Sequence, residues 1–300
     1  MMKAKYEQEF ELGPPTPFNV EKEMRITFRD GSQIKLCPKE KPKDTIKGAI
    51  MFELDHPDPM LEEKIGKDKV NDFFNSMLIT KENFEQLAAT QFGVLKPLGP
   101  GPDEIFNFGI NPHKTTSLGK NEMESAKNLI ETIYTFSDQR RGIIVRSLRW
   151  FRRGAEANSE DRFIYRWISF DLLVALLGLE KKEKTKPKGT PTLIKEFMNS
   201  KYMKAETAKM IFDKHKLTIE KLSKANLKSF RGTERSKQLL ELLPGPKHKL
   251  KHILTKVMLC IYELRNTLFH KGELFETINQ NSALLGDVFR ESLKTYVECS

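Results

Sequence analysis

From Asn121 to about Val297, apolar residues recur at steps of three and four. That period admits little besides helix packed on helix. It is clearest in "KHKLKHILTKVMLCIYELRNTLFH", where Leu250, Ile253, Leu254, Val257, Met258, Ile261 and Leu268 mark one buried face. The same period predicts helices over "NEMESAKNLIETIYTF", with Asn121 and Glu124 as a capping box, and over "QRRGIIVRSLRWFRRGAEA". Ser159 is expected to cap "EDRFIYRWISFDLLVALLG", which ends at Gly178. Shorter helices follow in "TLIKEFMNS", "AETAKMIFDKH", "TIEKLSKANLKSF" and "ERSKQLLELL", and a last one covers 281–297.

Before Asn121 the pattern is mixed. "MRITFRDGSQIKLC" alternates polar and apolar residues about Asp30-Gly31, a hairpin signal because Asp-Gly supplies positive φ angles. "KGAIMFEL" reads as a strand, whereas "DPMLEEKIGKDKVNDFFNSMLI" and "TKENFEQLAATQF" read as helices. "KPLGPGPDE" then breaks any regular element with three prolines and two glycines. The expected fold class is α+β. A mixed α/β N-terminal domain over 1–118 precedes an all-α bundle over 119–300.

Charge follows the same division. The net charge is +10, yet residues 1–118 hold 16 Lys+Arg against 19 Asp+Glu, and residues 119–300 hold 35 against 22. A field of that sign attracts polyanions without identifying them. Three cysteines form no paired framework, and neither an apolar leader nor a membrane-length apolar run is found, so a cytoplasmic chain without a membrane partner is expected. No P-loop, dinucleotide fingerprint or Ser–His–Asp order stands out, and no cofactor is expected. Asp55, His56 and Asp58 in "ELDHPDP" read as a turn rather than a metal site. His113, His215 and His248 have no partner spacing, and Cys260 reads as a small core hydrophobe.

Two stretches carry chemistry. "RRGIIVRSLRWFRR" places Arg146, Arg149, Arg152 and Arg153 largely on one side of a helix, as an RNA-backbone track would, with Trp150 expected in the core. "ELRNTLFHKGE" gathers Arg265, Asn266 and His270 near a helix end. Asn266 and His270 are four apart and share a side. Arg265 and His270 are five apart, about 140° around an ideal helix. Either the helix tightens near Gly272 or the two meet through a second copy. As plain structure, Arg265 is a surface ion-pair partner, Asn266 is solvated and His270 is a cation at a helix C-terminus.

These residues resemble the HEPN superfamily, whose motif is an Arg, a polar residue directly after it, and a His four to six residues after the Arg, at the end of a helix. "SLRWFRRGAEANSEDRFIYRWISFDLLVALLG" is similar to the Apea-like branch, and Asp171 stands where that branch usually has Glu. The resemblance covers about residues 120–295. It implies a metal-independent endoribonuclease acting as a homodimer, in prokaryotic antiviral defence or toxin-like growth arrest, with a regulatory protein partner possible. In that reading His270 is the general acid/base, Arg265 clamps phosphate, Asn266 orients the His or binds phosphate, and Asp171 positions Arg265. The products would be a 2′,3′-cyclic phosphate and a 5′-hydroxyl. The alternatives are a non-catalytic module that binds RNA, a nucleotide or a protein partner, and a helical scaffold that sequesters a partner.

Overall fold

The computed structural model describes residues 4–12, 18–19, 23–37, 46–54, 59–80, 89–92, 96–97, 116–117, 120–180, 189–229, 232–244, 249–271 and 278–299. The chain divides into two compact units, Met1–Thr135 and Phe136–Ser300. The class is α+β: a mixed N-terminal region followed by helices.

The first unit contains β1 (Ala4–Leu12), β2 (Phe18–Asn19), β3 (Met24–Thr27), β4 (Gln33–Leu36), β5 (Ile46–Leu54), α1 (Pro59–Thr80), β6 (Ala89–Phe92), β7 (Lys96–Pro97), β8 (Thr116–Ser117) and α2 (Lys120–Tyr134). The main sheet runs β3-β4-β5-β1-β6, with β7 also on β1, while β2 and β8 form a small parallel pair. Strand β1 is antiparallel to β5 from Ala4↔Leu54 to Leu12↔Ile46. Its side chains alternate between faces. Tyr6, Gln8, Phe10 and Leu12 are buried, and Glu7, Glu9 and Glu11 are half-buried. Aromatic pairs join sheet to helix, with Phe10 and Phe74 centroids 5.8 Å apart and Phe28 and Phe73 5.9 Å apart.

Sheet geometry makes Gly48 indispensable. A Cβ there would lie 2.5 Å from Phe10 Cζ and 2.7 Å from the Lys35 carbonyl oxygen. The carbonyl belongs to the neighbouring strand and cannot yield without breaking the ladder. Gly48→Ala is therefore expected to destabilise the protein by about 1–3 kcal/mol. Urea melts of wild type and variant measure this, and equal midpoints would reject the packing argument.

The Asp30-Gly31 hairpin is present, but its loop has three residues. The Gly31 amide donates to the Phe28 carbonyl at 2.9 Å, the Phe28 amide to the Ser32 carbonyl at 2.8 Å, and only Gly31 of the loop has positive φ, +83°. A type I turn closed by a left-handed glycine replaces the two-residue turn that Asp-Gly suggests. Asp30 contributes by accepting from the Ser32 amide and hydroxyl. Of the helix expected in "TKENFEQLAATQF", residues 81–88 lie outside the described set. Ala89–Phe92 form strand β6, since pairing to β1 overrides a weak local helical pattern.

Helix α2 belongs with the first unit, so the division falls one helix later than the proline-rich break suggests. Ser76 of α1 donates to the Ala126 carbonyl at 3.0 Å, and Tyr134 donates to Asp72 at 3.2 Å. The buried carboxylate of Glu131 accepts from the Arg29 amide at 2.7 Å. Because α2 begins at Lys120, Asn121 lies inside it. The expected capping box is not formed, and the Asn121 carbonyl instead accepts from Ser125.

The second unit holds α3 (Asp138–Glu156), α4 (Ser159–Glu180), α5 (Thr190–Asn199), α6 (Ala205–Lys214), α7 (Lys216–Ser223), α8 (Arg235–Leu242), α9 (Leu250–Lys271) and α10 (Ile278–Cys299). Helix α4 packs on α3 and α10, while α9 packs on α5, α6 and α8. The cap of α4 is Asn158, not Ser159: its Oδ1 accepts from the Glu160 and Asp161 amides at 3.2 and 3.0 Å. The helix also continues past Gly178. Among the described residues, no helix is long and apolar enough to cross a membrane.

Candidate functional site

The end of α9 carries a connected polar group. Glu263 is buried, and its carboxylate accepts from Arg235 Nε of α8 and from Asn266 Nδ2, both at 3.4 Å. Asn266 Oδ1 accepts from Arg265 Nη1 at 3.0 Å. One helical turn on, the Phe269 ring lies beneath the Arg265 guanidinium, with Cζ 4.5 Å from the ring centroid, and Phe269 is 50% exposed. Helical spacing explains the set: 263 and 266 are three apart, and 265 and 269 are four apart.

Arg265 itself is only partly satisfied. Its Nε is buried and has no hydrogen-bond partner among the described residues. A guanidinium offers five N–H donors in a planar fork, and an unmet donor in a desolvated place is costly. Asp171 of α4 interacts with Arg265 through space rather than through a direct hydrogen bond. Burial pushes the Asp171 carboxyl up, the Arg265 charge opposes this, and the net shift is upward. Asp171 still has surface in water, which limits that rise. The structure thus brings Asp171, Arg265 and Asn266 together at one place.

His270 stands in α9 by its backbone, and its side chain lies outside the described set. The helix stays α-helical through Lys271, so no tightening before Gly272 draws positions 265 and 270 together. The angular gap of about 140° remains within one chain.

The arginine track of α3 is present in part. Arg146, Arg149 and Arg153 are exposed. Arg152 is not available to a ligand: it is buried at 8% exposure, because positions 144, 147, 148, 151 and 152 form the stripe that faces the core. Phe151 fills the core position expected for Trp150, with Phe151 and Phe289 centroids 4.8 Å apart. Trp150 is half-buried instead, beside Tyr165 of α4 at 5.4 Å, and Arg153 Cζ stands 4.6 Å from the indole centroid.

Sequence reading missed a second cluster. Asp287 of α10 accepts from His215 Nε2 at 2.6 Å, from Lys214 Nζ at 2.8 Å and from Arg290 Nη2. Burial pushes the Asp287 carboxyl up, but its three donors outweigh this and hold it well below the usual carboxylate range. His215 and Asp287 are 72 residues apart, so no local spacing signals the pair. Cys260 packs as a core group as expected, and burial raises its thiol to about 12. Asp55, His56 and Asp58 lie outside the described residues, as do His113 and His248.

No family model, curated protein or solved structure matches the chain.

Proposed function

We propose that this chain is a metal-independent endoribonuclease of HEPN type that acts as a homodimer. The observation that carries the reading is Arg265. Near the end of α9 it has a buried Nε without an acceptor among the described residues, a neighbouring amide that fixes one face of its fork, and a carboxylate across on α4. A phosphate oxygen is the acceptor such a fork suits best, because two parallel hydrogen bonds can form.

The chemistry needs few groups. The ribose 2′-OH attacks the adjacent phosphorus, an imidazole from His270 takes its proton, and a second imidazole protonates the departing 5′-oxygen. Arg265 stabilises the added negative charge of the pentacoordinate phosphorus. Asn266 holds the guanidinium by its Oδ1, and Asp171 biases its position. Two copies of α9 facing across a two-fold axis would supply two imidazoles and remove the angular gap within one helix. A role in prokaryotic defence or growth arrest follows from the resemblance alone.

One observation favours a second reading, a non-catalytic binding module. Glu263 ties Arg235 and Asn266 into a network within one chain, as a structural group would. The test is incubation of the purified dimer with single-stranded RNA in excess EDTA, with product ends analysed. Cleavage that leaves 2′,3′-cyclic phosphate and 5′-hydroxyl ends is expected, with the same sequence in DNA left intact. An inert, folded dimer would favour the binding module.

A further inference from the structure

On α3, three exposed arginines, Arg146, Arg149 and Arg153, recur at steps of three and four and so share one face. Among the described residues, Arg146 and Arg153 bond to no carboxylate: Arg146 Nε donates to the Gly142 carbonyl at 3.1 Å, and Arg153 lies on the Trp150 ring. Trp150 in turn meets Tyr165 of α4, with 34° between the ring planes. The opposite face of α3 is committed to the core through Ile144, Leu148 and Phe151, and is not free to enter a lipid surface. The exposed face therefore combines a row of positive charge with a cluster of Tyr165, Trp150 and Arg153, in which the two rings are half-buried and Arg153, over the indole, is exposed.

We propose that this face binds single-stranded nucleic acid, with a base stacked on the Arg153 guanidinium and successive phosphates following Arg149 and Arg146. A base has a flat π-face whatever its identity, so stacking on an Arg plane carries little sequence preference. A duplex hides those faces inside its own stack and would use the charge alone. An acidic peptide would likewise use only the charge. The combination of plane and charge is what favours an unpaired strand. This deepens the ribonuclease reading by naming the form of substrate that the fold captures. It stands on α3 and α4, apart from Arg265 and His270.

The test measures binding of a fluorescent oligothymidylate by anisotropy. That strand has no 2′-OH and cannot be cut by the chemistry above, so loss of binding and loss of cleavage are read separately. Arg153→Lys keeps the charge and removes the plane, whereas Arg149→Lys keeps all that the proposal asks of that position. Arg153→Lys is expected to weaken binding on the order of tenfold, in the range measured for a lost base stack. Arg149→Lys is expected to change it less than twofold. The logarithm of affinity should fall with the logarithm of salt with a slope of about −1.4, as two contacted phosphates on a single strand require. Tryptophan emission should shift on binding in wild type and not in Trp150→Phe, which keeps only Trp167. The proposal is overturned if Arg153→Lys and Arg149→Lys bind alike, if a duplex of equal length binds as tightly, or if polyglutamate or anionic vesicles displace the strand as well as unlabelled oligothymidylate does.

Discussion

Asp287→Ala is expected to destabilise the protein by about 3–5 kcal/mol, the range found when one member of a buried charge pair is removed. The Asp287 side chain is 7% exposed, His215 8% and Arg290 5%, while Lys214 keeps about half its surface in water. The carboxylate thus offsets the desolvation of an arginine that water cannot reach. Its loss leaves three donors aimed at a void. Asp287→Asn retains the shape and one acceptor oxygen but not the charge, so it should fall between wild type and Asp287→Ala.

The same residue fixes a pH dependence. Its folded-state pKa lies below the ordinary aspartate value of 3.8, so the stability it contributes is fully present above that value. The contribution is lost as pH falls from 3.8 toward the depressed folded value. Urea melts at neutral pH and at about pH 3 should show the wild-type advantage over Asp287→Ala shrinking. An advantage under about 1 kcal/mol at neutral pH, or one unchanged on acidification, would mean that the cluster does not hold the helices together.

Arg265→Ala is expected to lower the RNA cleavage rate by about 10²–10³-fold, as loss of one donor to a developing anion does in other enzymes. Its effect on stability should be within about 1 kcal/mol. The variant loses a contact with Phe269 and a bond to Asn266, but it also removes a buried donor that has no acceptor. Rate and stability together separate the two readings of the site. Lost cleavage at unchanged stability marks a group held for a ligand. A loss of more than about 2 kcal/mol marks a member of the Glu263 network instead. Arg265→Lys refines the result, because an ammonium keeps the charge without the planar fork. Full activity in that variant would reject bidentate phosphate binding.

Most helices were legible because each keeps one apolar stripe over many turns, and the structure places those within a few residues of their sequence bounds; α7, expected to reach Phe230, stops at Ser223, and Ala89–Phe92, expected as helix, is a strand. Short signals were less secure. Ser159 and Asn158 are both good caps by residue type, and it is Asn158 whose Oδ1 takes the first free amides of α4. Trp150 and Phe151 are both aromatic neighbours on α3, and a rotation of one position decides which enters the core. Strand β1 was missed although Tyr6, Gln8, Phe10 and Leu12 alternate with Lys5, Glu7, Glu9 and Glu11. Glutamates and a buried Gln8 give it low strand propensity, and it is held by pairing on both sides rather than by its own residues. At the candidate site, Arg265 and Asn266 could be read from adjacency, and Asp171 through the family resemblance. Arg235 and Glu263 could not, because they lie 28 residues apart and meet only when α8 packs on α9.

The packing of α4 against α10 has a consequence for the timing of synthesis. Arg166 of α4 donates to the Ser282 carbonyl of α10 across 116 residues of sequence. A ribosome adds about 5–20 residues per second, so α4 waits on the order of 6–23 s for the helix that covers it. During that interval the side of α4 that packs on α10, with Arg166, stays uncovered. A holding chaperone has its opening there, and slowing translation between α4 and α10 should lower the yield of folded chain more than the same delay placed after α10.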